Sequence, residues 1–351
     1  FALNKGWVLP VVPGHPQITV GGCLAFNVHG KSPEHSGYFA SSVRELTLFH
    51  PDHGEIVCGT ECETDLFELT LGGMGLTGFV TQVVLQLQPL AGTAVELRKI
   101  PVANLREAVT LMRELSSSTD ALYSWNDLNL RGQSFGRGIV YAERFVDAGR
   151  GGSREFRSLS SEIGRWSKHG VFGSWRIKAI GRAYYLKEKI GPATHLLDPL
   201  TAAFPINGKE VYYRLYGRSG FREYQVLLPW EAWEGALSDI ARSIEQTGAA
   251  LPLGSLKIFG GSRRLLNFSG AGVCLALDSP ADGSADMLFA ALDELVVAVG
   301  GVVNLAKDSR ISARTARRIF PTYDEFHDRL ELFDPNRRFD SAVRRRLFDI
   351  E

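Results

Sequence analysis

The sequence predicts an α+β fold organised on an antiparallel, ferredoxin-like sheet. Between Arg222 and Leu305 the apolar spacing alternates between period 2 and period 3.6 in the order β-α-β-β-α-β, the split βαβ pattern. A less regular β-α-β-β series runs ahead of it from Val95 to Phe145 and resembles a first copy. Glycine clusters, "LGGMGLTG" at Leu71–Gly78 and the pair Gly300-Gly301, mark the corners where elements stop.

In chain order, Val43 to Phe49 ("VRELTLF") alternates as a strand, Asp52-His53-Gly54 reads as a hairpin turn, and Glu55 to Cys58 is the returning strand. Thr64-Asp65 is expected to cap a short helix that ends in the glycine cluster, and Phe79 to Leu87 is a strand stopped by Pro89. Pro89 to Ala94 is a boundary. Beyond it come strand Val95–Ile100 and helix Ala103–Leu115, with Leu105, Val109, Met112 and Leu115 on one face and Met112 as core filler. Strands near Ala121–Leu128 and Gly138–Phe145 follow. The stretch Asp147–His195 is basic and helical in places, introduced by a flexible "GRGGSRE".

The second unit is better resolved. Strand Glu223–Leu228 leads into helix Glu231–Gln246, whose apolar stripe is Trp233, Leu237, Ile240 and Ile244 and whose stop is Gly248. Strands Leu253–Phe259 and Gly272–Leu277, helix Ala285–Val299 (Leu288, Leu292, Leu295, Val299) and strand Val302–Leu305 complete it. Thr322-x-x-Glu325 has the spacing of a capping box ahead of a helix with Phe326, Leu330 and Phe333 apolar.

Side chains alternate along strands, so each strand has a helix side and a free side. Tyr224, Val226, Leu228, Leu256, Ile258, Val273, Leu275 and Leu277 should face the helices. The free side then carries Glu223, Gln225, Ser255, Lys257, Phe259, Gly272, Cys274 and Ala276. Gln and Lys suit a solvated face, but Cys and Phe prefer burial, so this face is expected to be covered by a ligand or another domain.

The 351 residues are 44% hydrophobic, and 39 Lys+Arg balance 39 Asp+Glu, so no basic field points to nucleic acid. Arg344-Arg345-Arg346 reads as the solvated face of a helix, with a membrane-surface contact as the alternative. No apolar run reaches transmembrane length. Four cysteines, Cys23, Cys58, Cys62 and Cys274, form no disulfide framework, which points to a reducing compartment. His50, His53, Cys58 and Cys62 are four zinc-capable side chains in thirteen residues. A hairpin sends alternate side chains to opposite faces, so exposed turn histidines and ordinary thiols are expected instead of a metal site. Lys307 lies just past a strand end, where functional residues collect; the plain alternative is a surface lysine paired with Asp308.

Four stretches taken together, "VPGHPQITVGGCLAFNVHGKSPEHSG" (Val12–Gly37), "LGGMGLTG" (Leu71–Gly78), "AKDSR" (Ala306–Arg310) and "DPNRRF" (Asp334–Phe339), resemble the vanillyl-alcohol-oxidase/PCMH-type FAD-linked oxidases. Within that superfamily they are most similar to the oxidase subunits of decaprenylphosphoryl-β-D-ribose 2′-epimerases. The resemblance implies a split FAD-binding domain, residues 1–92 and 302–351, around an inserted substrate domain, residues 93–301. It implies noncovalent FAD and oxidation of a secondary sugar hydroxyl, at C2′ of a polyprenylphosphoryl-ribose in cell-wall arabinan biosynthesis, with hydride passing to flavin N5. It also implies a pyrophosphate-cradling loop upstream of "VPGHPQITVGG". The chain as given begins after that point, so its N-terminal part is expected to be missing and its own FAD affinity to be low.

Residue by residue, Gly14, Thr19, Gly22, Val28, His29, Gly78, Phe79, Asn304 and Lys307 match cofactor-binding positions. Lys31, Gln225, Lys257, Phe259 and Cys274 match substrate-pocket positions. Lys307, Lys257 and His29 carry the catalytic expectation, and Lys257 should raise the thiolate fraction of Cys274. The sequence departs from the family's pattern at Asn304, where a tyrosine is usual, at Gly272, where an asparagine is, and at His15 and Phe26. The implied partners are a sugar or polyprenylphosphoryl-sugar substrate and an NAD-dependent reductase, with no nucleic acid; the implied location is cytoplasmic or peripheral to the membrane. Two other readings stand beside this one: an alditol or aldonolactone oxidase using oxygen, and a truncated remnant without flavin.

Overall fold

The computed structural model describes residues 1–148, 174–208 and 211–349. Its N-terminal part is built on a three-stranded antiparallel sheet of β1 (Val43–His50), β2 (Gly54–Gly59) and β3 (Phe79–Leu85) in the order β2-β1-β3. Alternation decides its faces: Leu46, Leu48 and His50 point inward, while Glu45 and Phe49 point out. The inward set packs with Cys23 and Leu24 of α1 (Val20–Ala25), with Phe39 beyond α2 (Pro33–Ser36), and with Leu66 and Phe67 of α3 (Thr64–Thr70). Thr64 does not cap α3. It is the first helical residue, behind Glu63 at φ 46°, and no side chain caps the helix.

The second sheet has eight strands: β4 (Ala94–Val102), β5 (Ala121–Asp127), β6 (Arg137–Val146), β7 (Thr194–Leu197), β8 (Phe221–Leu228), β9 (Leu253–Phe259), β10 (Gly272–Pro280) and β11 (Val302–Val303). Their order is β11-β8-β10-β9-β5-β6-β4-β7, and neighbours pair antiparallel. Read as two four-strand sets, β8–β11 lie in the order 4-1-3-2 and β4–β7 in the order 2-3-1-4. The earlier series is therefore a second copy of the same topology, joined to the first edge to edge through the second strand of each. At that seam Gly254 pairs with Asn126, and the Leu256 N–H donates to Ser124 Oγ at 3.0 Å. Glycine is required there, because a Cβ on Gly254 would lie 2.7 Å from the Asn126 carbonyl oxygen.

Helices α4 (Leu105–Leu115), α6 (Trp230–Thr247) and α7 (Gly283–Ala298) share one face and one core with the sheet. Helix α5 (Ser174–Ile190) lies on the other, where Tyr184 and Tyr185 pack on Trp125, Ile139 and Tyr141. The first copy thus departs from the one-sided arrangement of the second. The buried stripe of α7 is Ala285, Leu288, Phe289, Leu292 and Val296, rotated from the expected one, since Leu295 and Val299 are only partly buried. In α4, Ala108 takes the inward place expected for Leu115. The "GRGGSRE" stretch lies outside the described residues. Among the described residues no helix is long and apolar enough to cross a membrane.

The C-terminal helices α8 (Ala313–Ile319), α9 (Tyr323–Phe333) and α10 (Ala342–Phe348) correct three expectations. The capping box does not form: Thr322 Oγ1 donates to the Leu265 carbonyl at 2.8 Å, and Glu325 holds Arg329 at 3.3 Å. The arginine run is not a solvated face. Arg344 is 1% exposed, bound to Asp334 at 3.2 Å and Glu331 at 3.0 Å, and Arg346 is bound to Asp308 at 2.9 Å. Of the hairpin histidines only His53 is exposed; His50 is fully buried, its Nε2 3.4 Å from Asp334. The rings of His50 and His53 lie 4.7 Å apart, while Cys58 is buried and Cys62 exposed, and among the described residues no three such side chains gather around one point.

A buried ion pair broken on one side leaves an uncompensated charge. Arg344→Ala is expected to lower the unfolding free energy by about 3–5 kcal/mol in urea titration. Arg345→Ala, on the exposed face of α10, should leave the midpoint unchanged.

Candidate active site

Helix α1 is capped by Thr19, whose Oγ1 accepts from the Gly22 N–H at 3.1 Å, and the chain then turns through Asn27 at φ 41°. Asn27 Oδ1 accepts from the Ala40 N–H at 2.9 Å, Val28 is bonded to Cys23 and Phe39, and His29 forms a bridge with Tyr38. These bonds hold His29-Gly30-Lys31 against the free face of the eight-stranded sheet.

Strand alternation sorted that sheet correctly. The eight side chains expected on the helix side are all at most 3% exposed, and Tyr224 donates to Asp293 of α7 at 2.8 Å. On the opposite face three expected pocket residues, Gln225, Lys257 and Phe259, meet His29, and the fourth, Cys274, is linked to it through Gln225. Gln225 Nε2 lies 3.0 Å from His29 Nε2 and 3.3 Å from Cys274 Sγ. Lys257 Nζ donates to the Gly30 carbonyl at 3.1 Å and lies 3.5 Å from His29 Nδ1. The Phe259 ring meets the imidazole edge to face at 4.9 Å. Asn304 joins them, its Nδ2 donating to Gln225 Oε1 at 2.6 Å. The cover over the free face is thus a segment of the same chain. Through Phe259 and Tyr38 the cluster adjoins a cavity of about 240 Å³ lined by Asn27, Tyr38, Gly260, Gly261 and Arg264.

Lys307 stands at the rim. Its partner is Glu223, at 2.9 Å, and not Asp308, whose carboxylate turns inward to the N–H groups of Arg310 and Ile311 and to Arg346. Glu223 lies directly across the ladder from Asp278, which takes a hydrogen bond from Tyr212 at 2.9 Å. Sequence reasoning placed Glu223 on this face without a role and passed over Asp278, although Asp278 lies four residues beyond Cys274 and so on the same side. Lys31 goes elsewhere. Its ammonium is held by the Glu143 carboxylate at 2.8 and 2.9 Å and by the Ala202 carbonyl, over the Tyr123 ring.

The two lysines near His29 differ in electrostatics. Burial pushes Lys257 down to about 8, with Cys274 beside it and Glu223 farther off. Burial also works against the charge of Lys307, but Glu223 and then Asp278 outweigh it, so its pKa is raised. Burial, with Lys257 next, pushes His29 down to about 3, so the ring is neutral. Burial drives the Cys274 thiol up to about 12 against the opposing influence of Lys257, so the expected gain in thiolate is not realised. The remaining matched positions lie in other elements. Gly14 is open, Val28 anchors the segment, and Phe79 is 66% exposed beside Gly78, where a Cβ would strike the Phe49 carbonyl oxygen at 2.7 Å.

No family model matches the chain. Decaprenylphosphoryl-beta-D-ribose oxidase of Mycolicibacterium smegmatis is 28% identical over 367 residues, which span 99% of this chain and 77% of that protein. The chain is similar to that oxidase from end to end. An uncharacterized protein in the mprA 5′ region of Streptomyces coelicolor is likewise 28% identical over 366 residues, 99% of this chain and 97% of the relative. The resemblance read from four short motifs therefore extends over the intervening sequence as well.

Two measurements follow from the site's electrostatics. A lysine whose folded pKa lies below its unfolded value destabilises the fold while protonated, and stability returns as pH rises from about 8 toward 10.5. Lys257→Met should raise the unfolding free energy at pH 7 by about 2–3 kcal/mol and remove that alkaline rise; urea melts across the range read both. Brief alkylation of the native protein followed by peptide mass spectrometry should label Cys62 and spare Cys23, Cys58 and Cys274, which are buried and whose thiols burial holds protonated.

Proposed function

We propose that this chain is an FAD-dependent oxidoreductase that oxidises a secondary hydroxyl of a sugar, at C2′ of a polyprenylphosphoryl-ribose, to the ketone. The observation that carries the reading is the convergence of His29, Gln225, Lys257, Phe259 and Cys274 on one buried sheet face, with Lys307 at its rim. Similarity to an oxidase named for a decaprenylphosphoryl-ribose supports the substrate class.

The residues present fit a flat cofactor. Gly14 and Gly21 have open space where a Cβ would stand, and Ile18 and Val20 beside them are 43% exposed, an apolar surface next to accessible backbone. Gly14, Thr19, Gly22, Val28 and His29, with Gly78, Phe79, Asn304 and Lys307, would hold noncovalent FAD. In this reading residues 1–92 and 302–351 serve the cofactor and 93–301 the substrate; seven of the eight strands of the larger sheet, from Ala94 to Pro280, fall within 93–301, and β11 (Val302–Val303) is added by the returning segment.

A bound flavin would supply the hydride acceptor. Lys257, low in pKa and with no carboxylate in hydrogen-bond reach among the described residues, is suited to take the hydroxyl proton. Lys307, kept charged by Glu223, is suited to hold the substrate phosphate or the charge developing on oxygen. Gln225 offers an amide for the sugar hydroxyls, and burial of the cluster excludes water. The ketone would pass to an NAD-dependent reductase.

The test is anaerobic stopped-flow with FAD-loaded protein. A polyprenylphosphoryl-ribose should bleach the flavin, and Lys307→Ala should slow bleaching by two or more orders of magnitude, about 3 kcal/mol. Bleaching by simple polyols alone would favour the alditol-oxidase reading, and unchanged rates in Lys307→Ala would remove that lysine from the chemistry.

A further inference from the structure

The site contains a row of hydrogen bonds whose direction is fixed at both ends by the backbone. At one end the Ala306 N–H can only donate, and it donates to Asn304 Oδ1 at 3.1 Å. This turns Asn304 Nδ2 toward Gln225, where it donates to Oε1 at 2.6 Å. Gln225 must then present its NH₂ to the other side, and its Nε2 lies 3.0 Å from His29 Nε2. At the far end the Gly30 carbonyl can only accept, and it lies 2.9 Å from His29 Nδ1. The two ends require one assignment, in which Nδ1 carries the proton and Nε2 accepts; Lys257, 3.5 Å from Nδ1, then makes its own hydrogen bond to the same Gly30 carbonyl, at 3.1 Å, and not to the ring. The Asn304 N–H also donates to the Gln225 carbonyl at 2.9 Å, so the two residues are tied by main chain as well as side chain.

We propose that Asn304 is a positioning residue that, through Gln225, locks His29 as the neutral Nδ1–H tautomer. Asn304 is where this sequence departs from the tyrosine usual in the resembling family. An asparagine carries its donor group (NH₂) and its acceptor (C=O) on opposite arms of a rigid fork, so it can take a backbone N–H and pass a fixed polarity onward; a phenol has no such fork. The consequence for catalysis, which rests on the proposed function, is that the Nε2 lone pair is already occupied. His29 then serves as a fixed, uncharged wall, and proton removal falls to Lys257. The titratable groups facing the ring are Lys257, Cys274 beyond the Gln225 amide, and Lys307 with its partner Glu223. No carboxylate among the described residues is bonded to the ring.

The test is ¹⁵N NMR of the purified protein labelled at its eight histidines, with His29→Gln identifying the His29 signals. The expected spectrum has a protonated, pyrrole-type Nδ1 and a pyridine-type Nε2, unchanged from about pH 5 to 8. Asn304→Asp presents only acceptors to Gln225, reverses its amide, and leaves the ring between two acceptors. His29 should then take up a second proton as pH falls toward about 5, where the unsubstituted ring stays neutral, its pKa raised from about 3 by about two units or more. Asn304→Leu should abolish the single tautomer without creating the charge. A protonated or averaged Nε2 in the unsubstituted protein would overturn the proposal. So would a folded Asn304→Asp protein, checked by circular dichroism, whose His29 signals do not move. If that variant does not fold, the tautomer of the unsubstituted protein decides alone. Neither flavin nor substrate is needed, so absence of sugar oxidation would defeat the proposed function and leave this wiring intact.

Discussion

The ammonium of Lys257 on the carbonyl oxygen of Gly30 is the contact on which the site depends. It joins residues 227 positions apart and brings the segment after α1 onto the strands of the second sheet. Without that segment the free face would leave Cys274 and Phe259 in water; without the face, Gly30 and His29 would have no anchor for the ring. The contact is costly in electrostatic terms, since among the described residues the desolvated lysine receives a carbonyl and no carboxylate in return. A group kept in such surroundings is a marker of chemistry more than of stability.

The same face holds a second lysine under opposite conditions. Lys307 meets Glu223, and Glu223 stands across the ladder from Asp278. Burial and the Glu223 charge push the Asp278 carboxyl well above the ordinary range, so the pair carries less negative charge than its formula suggests. Two residues of one type, a few strands apart, are thus held in different protonation regimes by their neighbours.

Much of this was legible in the sequence, and the reason is periodicity. Tyr224, Val226 and Leu228, or Leu256 and Ile258, could be assigned to a face because a strand allows only two. The same rule brought Gln225, Lys257, Phe259 and Cys274 together before any coordinates. It applies to Asp278 as well, but the expected strand ends at Leu277, where the apolar alternation stops, while the ladder runs on to Pro280. What could not be read were local signals overridden by tertiary partners. Thr322 has the spacing of a capping residue but bonds to Leu265. Arg344 looks like solvent-facing charge, yet Asp334, ten residues earlier, draws it inside. Lys31 shares a motif with His29 but is captured by Glu143 on a strand of the other copy. For Thr322 and Lys31 the partner is 57 and 112 residues away, and no local window contains both; for Arg344 the partner is near in sequence, but only the packing of α9 against α10 turns the guanidinium toward it.

The seam between β5 and β9 makes the large sheet a joint between two modules, not a single continuous fabric. Its register consists of one residue pair, Gly254 with Asn126, reinforced by the Ser124 hydroxyl in place of a further ladder bond. Each side keeps its own four-strand ladder, and each has a different cover on its free face, α5 on one and the His29 segment on the other. A change among the side chains of β8, β9 and β10 therefore reaches the other half through that one-pair seam and through Lys31, which Glu143 holds from the other copy. Narrow links and not a shared ladder thus couple the halves, so the face around His29 can shift without re-pairing the strands of the other copy.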